Sequence, residues 1–198
     1  KLLHGITNVK DSVYYSGQGQ TVSAGISDVG GNLSVNVGSQ ELSMSGNATG
    51  TVGNAYYKDA TGEFVISGDM DNNTGSVDLT SGSNTIVSST TPDSSSVKMS
   101  VDGLGIEGFS SADRGMLKIL DGSDELSVDA NLKDERGSLV IKKGDVSVEA
   151  SGDKVNKTGS LSAIIGSNEL DGILTTDSSS LNLKSGSVEF SVSGDRNG

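Results

Sequence analysis

A turn signature that recurs about every 21 residues constrains the fold more than any other feature of this sequence. The signature reads Asx-x-x-Gly or Asx-x-x-Ser, as in Asn156-Lys157-Thr158-Gly159. It begins at positions 28, 47, 72, 93, 134, 156 and 177, and a shortened variant begins at Asp113. We expect each Asx residue to cap its own turn and each final glycine to adopt positive φ in a bulge.

Short segments with alternating apolar residues follow these turns. Leu139 and Ile141 follow the turn at 134, and Leu181 and Leu183 follow the turn at 177. A period of two is typical of a half-buried β-strand, and the spacing typical of a helix is absent. The sequence therefore predicts an all-β protein.

A second turn lies in the middle of each repeat and predicts a two-residue hairpin loop. With Lys143-Gly144 as the loop, Ile141 pairs with Val146 and Leu139 with Val148, so apolar residues meet on one face. The same rule predicts five further pairs: Leu183–Val188 around Ser185-Gly186, Val77–Ile86 around Ser81-Gly82, Leu33–Met44 around Gly38-Ser39, Ala163–Leu170 around Gly166-Ser167 and Ile119–Leu126 around Gly122-Ser123.

These patterns predict one repetitive domain over residues 1–198, an antiparallel meander of about nine β-hairpins. We expect the sheet to curl or fold on itself, or to be covered by another copy, because a sheet must cover its apolar face. The alternative is a parallel β-solenoid with one coil per repeat, but a solenoid needs corners, and two-residue loops reverse the chain. Residues 1–10 precede the first hairpin and are predicted to be an edge strand or a segment donated to another subunit.

The predicted plan resembles, in architecture, the repetitive hairpin sheets of spirochaete outer-surface lipoproteins. Curli-type amyloid subunits also repeat hairpins of similar length. The lysine-rich character of the first group and the regular Gln and Asn ladder of the second are absent here. No functional residue is carried over from either group.

The composition narrows the class of protein. Only 32% of the residues are hydrophobic and 4% aromatic, which predicts a thin core repeated along the chain. A net charge of −12 disfavours nucleic acid, which needs clustered basic residues. There is no cysteine, and no apolar run reaches the roughly 18 residues of a membrane helix, so we expect no membrane insertion. The chain begins at Lys1, and we expect that a leader has been removed.

No catalytic set stands out in the sequence, so we expect a protein that is not an enzyme. The single histidine is His4, in the irregular N-terminal segment. The strongest ligand candidate is a weak calcium site at Asp69, Asp71 and Asn73, because alternating oxygen ligands open a calcium loop. Asp121, Asp124 and Glu125 form a second acidic loop. No other cofactor is expected.

Two further sets of residues are candidate sites. Sequons for N-glycosylation occur at four positions, three of them in the predicted turns: Asn32, Asn47, Asn72 and Asn156. Tyr56 and Tyr57 lie where aromatic residues gather and could hold a glycan or a cell-surface receptor.

Repetition, low aromatic content and unpaired sheet edges favour a non-catalytic extracellular or cell-surface protein. We expect a structural subunit that forms a homo-oligomer or polymer, such as a filament, fibre or surface coat, through its sheet edges. The alternative is a monomeric adhesin or a glycan- or receptor-binding module, including a phage fibre domain.

Overall fold

The computed structural model describes residues 2–7 and 10–195, and the side chains of residues 11–195. All of the regular secondary structure in these ranges is β-strand, so the all-β prediction is confirmed. Internal contacts divide the chain into two units, Lys1–Asp102 and Gly103–Gly198. The repetitive region predicted over residues 1–198 thus comprises two meanders of the same kind.

Unit 1 contains ten strands, most of them eight residues long. They are β1 (Leu2–Thr7), β2 (Lys10–Gly17), β3 (Gln20–Ser27), β4 (Gly30–Val37), β5 (Gln40–Asn47), β6 (Val52–Lys58), β7 (Gly62–Asp69), β8 (Thr74–Ser81), β9 (Asn84–Thr90) and β10 (Ser94–Val101).

Unit 2 contains nine strands of similar length. They are β11 (Leu104–Ser111), β12 (Arg114–Asp121), β13 (Asp124–Asn131), β14 (Arg136–Lys143), β15 (Val146–Asp153), β16 (Thr158–Ile165), β17 (Asn168–Leu174), β18 (Ser178–Ser185) and β19 (Val188–Asp195).

Within each unit, consecutive strands pair antiparallel, so the hairpin meander is confirmed and the parallel solenoid is excluded. The repeat length follows from this arrangement. Two strands of about eight residues, one two-residue turn and one turn of two to four residues together make a repeat of about 21 residues. The N-terminal segment contributes β1, which pairs with β2, and Lys1, Asn8 and Val9 lie outside the described residues.

Three of the six predicted hairpin registers are correct. The other three predictions place the turn one residue too early in the chain. Leu33–Met44, Ile119–Leu126 and Ala163–Leu170 pair as predicted. In the other three hairpins, the turn begins at Gly82, Gly144 or Gly186 and not one residue earlier. The observed pairs are therefore Leu79–Ile86, Ile141–Val148 and Leu183–Phe190.

The conformation of the turn glycine explains this correction. Gly144 has φ of 54° and occupies the first central position of its turn, and Asp145 after it has no positive φ. This is a type II′ turn, which places glycine first. Gly38, Gly82, Gly122, Gly166 and Gly186 share this geometry, with φ between 59° and 61°.

The longer turns also differ from the prediction. Among the signature glycines, Gly50 has positive φ, at 72°. Gly75, Gly137 and Gly159 are instead the second residues of extended strands. The left-handed residue is the one two positions before each of these glycines, namely Asn73, Glu135 or Lys157, with φ of 51° to 53°. The four-residue turn closes before the glycine is reached, so no bulge at the glycine is needed.

Neither unit folds over its own apolar face. No hydrophobic side chain among the described residues is buried, and within each unit strands contact their sequence neighbours only. The expected closure into a sandwich does not occur within a unit, so each sheet is open. The described residues also contain no helix that could cross a membrane.

Candidate functional site

The most extensive surface feature of each unit is an apolar face formed by two adjacent rows of side chains. In unit 1 the first row follows the cross-strand pairs Val35–Leu42 and Tyr57–Phe64. The full first row of unit 1 is Tyr15, Val22, Val35, Leu42, Tyr57, Phe64, Leu79, Ile86 and Met99, and the second is Val13, Ala24, Leu33, Met44, Ala55, Ile66, Val77, Ser88 and Val97.

Unit 2 repeats the same arrangement. Its first row is Ile106, Ile119, Leu126, Ile141, Val148, Ala163, Leu170, Leu183 and Phe190. Its second row is Gly108, Leu117, Val128, Leu139, Ala150, Leu161, Gly172, Leu181 and Val192. The two rows of a unit are together called its apolar face.

The apolar face is accessible and uncharged in both units. Met44 is 47% exposed in the second row of unit 1, and Phe190 is 58% exposed in the first row of unit 2. No Asp, Glu, Lys or Arg occurs in any of the four rows. Contiguous apolar surface of this extent is rare on monomeric soluble proteins and marks an interaction surface.

A row of glycines borders the apolar face. In unit 1 it crosses five strands without interruption, through the pairs Gly31–Gly46, Gly46–Gly53, Gly53–Gly68 and Gly68–Gly75. Unit 2 has a shorter version, Gly137–Gly152–Gly159. These residues lie on the same face as the apolar rows because they are two positions from second-row residues. Because glycine has no side chain, the surface is lower along this row than along the apolar rows beside it.

Exposed apolar residues occur in the longer turns beyond the glycine row. Val29, Met70, Leu132 and Val155 are 75%, 73%, 64% and 62% exposed. Neighbouring turns are held together by backbone hydrogen bonds, such as Met70 N–H to Thr51 O at 2.8 Å and Leu132 N–H to Asp113 O at 2.8 Å. The exposed apolar surface of each unit therefore continues from the sheet face into the turns at one end of the strands.

The opposite face of each sheet carries most of the polar side chains, together with some apolar ones such as the pair Phe109–Met116. Ser67 and Ser76 share a 2.7 Å hydrogen bond across β7 and β8, and Ser151 and Ser160 repeat it across β15 and β16. In unit 2, Lys118 Nζ forms an ion pair with Glu125 Oε1 at 3.2 Å. Lys142 Nζ forms ion pairs with Glu149 Oε1 at 3.1 Å and with Glu125 Oε2 at 4.0 Å. The Glu149 carboxylate raises the pKa of Lys142. Most of the charge therefore lies away from the apolar rows, and Asp121, Asp124 and Lys143 lie on the same face as those rows only at the strand ends.

Strand β19 is the last strand of unit 2 among the described residues. It pairs with β18, and all of its residues are exposed. Val188, Phe190 and Val192 face the apolar side and are 68%, 58% and 51% exposed. An exposed edge strand with apolar side chains is a template for pairing with another chain.

The calcium candidates lie in the turn between β7 and β8, where their side chains make turn hydrogen bonds. One Asp69 oxygen accepts the Asn72 backbone N–H at 3.1 Å and the other accepts the Asn72 amide at 2.6 Å. These two bonds lower the pKa of Asp69. The Asp71 carboxylate accepts the Thr51 hydroxyl at 2.8 Å, and Asn73 is the left-handed residue.

Asp153 and Asn156 repeat the Asp69–Asn72 arrangement, at 2.8 and 2.7 Å. The arrangement thus recurs in two of the four-residue turns, and Asn131 with Asp134 forms the related pair in a third. No group of three or more His, Cys, Asp or Glu side chains that could hold a metal occurs in the described part of the chain. Calcium binding stays a prediction. In the second acidic loop, Asp121 lies directly opposite Asp124 beside the Gly122-Ser123 turn. The Glu125 carboxylate forms an ion pair with Lys118.

The four sequon asparagines lie in two different settings. Asn32 is exposed on the polar face of β4. Asn47, Asn72 and Asn156 flank or lie in the longer turns, and each donates its side-chain amide to a turn hydrogen bond. Asn47 also accepts the backbone N–H groups of Thr51 and Val52, at 2.9 and 3.0 Å. Glycosylation at these positions stays a prediction.

The structure places Tyr56 and Tyr57 on opposite faces of β6. Tyr57 belongs to the first apolar row and pairs with Phe64, whereas Tyr56 pairs with Val65 on the polar face. Successive side chains of a strand point to opposite sides. The two tyrosines therefore do not form one binding site.

Sequence reasoning missed two features of the surface, and only the glycine row has a signal in the sequence. Glycines 31, 46, 53, 68 and 75 are separated alternately by 15 and 7 residues, as are 137, 152 and 159. Such spacing identifies residues that meet across successive strands once the turn lengths are known. The exposed apolar residues of the longer turns have no comparable pattern in the sequence.

Comparison of the chain with protein-family models and with curated proteins gives no match.

Proposed function

We propose that this chain is a non-catalytic structural protein of the extracellular space or cell surface, a subunit that assembles with copies of itself. The observation that carries the proposal is the open edge at β19, whose apolar residues are exposed along the whole strand. Strand addition at such an edge extends a sheet through main-chain hydrogen bonds. Addition that does not close into a ring produces filaments or fibres.

The register at β19 defines which backbone groups are free for a partner. Ser185 and Val188 flank the two-residue turn and exchange ladder hydrogen bonds, as do Leu183 and Phe190 two residues further along. The N–H groups of Ser191 and Ser193 therefore point away from β18. They are the donors that an added strand would use.

This geometry gives a sharp test. The double substitution Ser191→Pro and Ser193→Pro removes the outward donors and leaves the ladder to β18 intact, because proline is tolerated on the solvent side of an edge strand. The control, Ser191→Thr with Ser193→Thr, keeps both N–H groups. We expect concentration-dependent polymers of wild type and control by light scattering and electron microscopy, and none of the proline variant.

The proposal fails if the wild-type chain forms no polymer at any concentration, or if the proline variant polymerises as the wild type does. The alternative, a monomeric adhesin or glycan-binding module, predicts a monomer at every concentration. Labelling of intact cells with an antibody against the chain tests the proposed location, and a signal that requires cell lysis would contradict it.

A further inference from the structure

We propose that the apolar face of each unit is covered by the apolar face of a second copy of this chain. The inference rests on the proposed function, because it names the partner of a self-assembling subunit, and it assigns that partner to a different surface from the β19 edge. The resulting subunit pair has two sheet layers at each contact, with the polar faces outward.

The first support is the size of the exposed surface. The chain of 20.1 kDa has an accessible surface of 13071 Å². A compact monomer of that mass exposes about 8,700 Å², and two separate compact bodies of half the mass together expose about 10,500 Å². The excess is therefore about 2,500 Å² even when each unit is counted as its own body.

That excess matches what a stable dimer needs. Two chains together carry about 5,000 Å² of such surface, and obligate homodimers bury roughly 2,000 to 5,000 Å². An apolar sheet face is stable only when another layer covers it. In the described residues no hydrophobic side chain is buried, so the covering layer comes from outside the unit.

The second support is that the face suits a copy of itself. The net charge of −12 opposes the approach of two copies, but none of that charge lies in the four apolar rows. Every row has one residue per strand, from β2 to β10 in unit 1 and from β11 to β19 in unit 2, at the common strand spacing of about 4.8 Å. The faces of two copies therefore match in period, and most of their carboxylates lie on the polar faces and in the turns. Asp11, Asp121 and Asp124 lie at strand ends on the same face as the apolar rows, outside the four rows.

An anionic lipid surface is a poorer occupant. Membrane-surface proteins pair an apolar face with flanking Lys and Arg residues that hold the headgroups. Here Asp and Glu outnumber Lys and Arg by 26 to 14. The chemistry of the face and of its surroundings thus favours a protein layer with the same apolar pattern.

The test uses adjacent residues on opposite faces. Met44 lies in the second apolar row of unit 1, and Ser43 beside it lies on the polar face between Ser34 and Tyr56. In unit 2, Val128 lies in the second row and Ser127 lies on the polar face between Lys118 and Val140. Met44→Glu with Val128→Glu places two charges on the apolar faces, and Ser43→Glu with Ser127→Glu places the same charges on the polar faces.

Each variant is made in the full chain carrying the Ser191→Pro and Ser193→Pro substitutions, so that growth at the β19 edge does not obscure the result. Sedimentation equilibrium measures the dimer dissociation constant. We expect a dimer for the edge-blocked chain, a dissociation constant raised at least about a hundredfold by the apolar-face charges, and a change below about threefold for the polar-face charges. Met44 and Val128 are 47% and 40% exposed, so circular dichroism should show all variants folded.

A second measurement does not depend on added charge. The chain has no cysteine, so Ala150→Cys on the apolar face and Ser151→Cys on the polar face each carry a single spin label. We expect dimer formation to immobilise the label at 150 and to leave the label at 151 mobile. The two positions are consecutive in β15 and lie on opposite faces, and the mobility of each label is compared between monomer and dimer.

The outcomes separate this proposal from the proposed function. An edge-blocked chain that stays monomeric while the unblocked chain polymerises overturns the face-to-face pair and leaves the edge mechanism standing. If the edge-blocked chain forms dimers and the unblocked chain forms no polymer, the face-to-face pair stands and the edge mechanism is overturned. Equal weakening by both pairs of charges, or a monomer whose apolar face is captured by phosphatidylcholine vesicles, also overturns the pair.

Discussion

The Tyr57 hydroxyl donates a 3.1 Å hydrogen bond to the Asp59 carboxylate two residues further along the chain, where β6 turns into β7. The other Asp59 oxygen accepts the Thr61 hydroxyl and backbone N–H, both at 2.7 Å, and the Gly62 N–H at 2.9 Å. These bonds, led by the Thr61 hydroxyl, lower the pKa of Asp59 from 3.8 to about 2. The bond to Asp59 raises the pKa of Tyr57.

Stability should therefore depend on Asp59 in acid. Because the pKa of Asp59 is lower in the folded chain than in the unfolded chain, its contribution is fully present above about pH 4 and is lost as the pH falls toward 2. We expect Asp59→Asn to lower the urea midpoint at pH 6, and the gap from wild type to close by pH 2. Thr61→Val should cause a smaller loss with the same trend. A gap that is independent of pH would contradict this account.

Two glycines are required because a neighbouring backbone leaves no room for a side chain. A Cβ on Gly62 would lie 2.3 Å from the Thr80 carbonyl oxygen, and one on Gly30 would lie 2.2 Å from the Gly46 oxygen. We expect Gly62→Ala and Gly30→Ala each to cost roughly 1–3 kcal/mol in denaturant unfolding. Gly68→Ala is the control, since nothing lies within 4 Å of its Cβ position. Equal effects at all three positions would refute the steric explanation.

The type II′ turns give a prediction about register. Gly144 has φ of 54° with open space around its Cβ position, so Gly144→Ala should cost about 1–2 kcal/mol through backbone conformation alone. Gly152→Ala in β15 should be close to neutral, because its φ is not left-handed and nothing lies within 4 Å. Unfolding in urea of the two variants is the measurement. A larger loss at Gly152 would mean that the turn begins elsewhere.

The same turn illustrates how far the sequence determines this fold. Alternation in Leu139 and Ile141 and the recurring Asx turns were enough to predict antiparallel hairpins, because both signals are local. Apolar pairing could not fix the turn position. A shift of the turn by one residue moves each partner by two, so Ile141 faces an apolar residue in either register, Val146 or Val148. The rule that glycine comes first in a type II′ turn separates the two.

The candidate sites were less predictable, for reasons that differ from residue to residue. Strand alternation alone implies that Tyr56 and Tyr57 lie on opposite faces, so their separation could be predicted once β6 was assigned, and binding by either residue stays a prediction. The glycine row depends on the register of five strands at once and becomes visible only when every turn length is known. The apolar face itself could be predicted, but alternation does not show whether the same sheet or another copy covers it.

The last prediction separates turn capping from calcium binding. Asp69 and Asp153 each accept two hydrogen bonds from an asparagine three residues later, so Asp69→Ala and Asp153→Ala remove the same cap. If capping is their role, we expect the two variants to lower the unfolding temperature by similar amounts, and calcium or EDTA to change neither value. The calcium hypothesis makes a different prediction, because only the Asp69 turn also carries Asp71. Added calcium would then raise the unfolding temperature of wild type and of Asp153→Ala, through preferential binding to the folded state, but not that of Asp69→Ala. Thermal unfolding in calcium and in EDTA decides between them, with Asp71→Asn as the matched control for the second carboxylate.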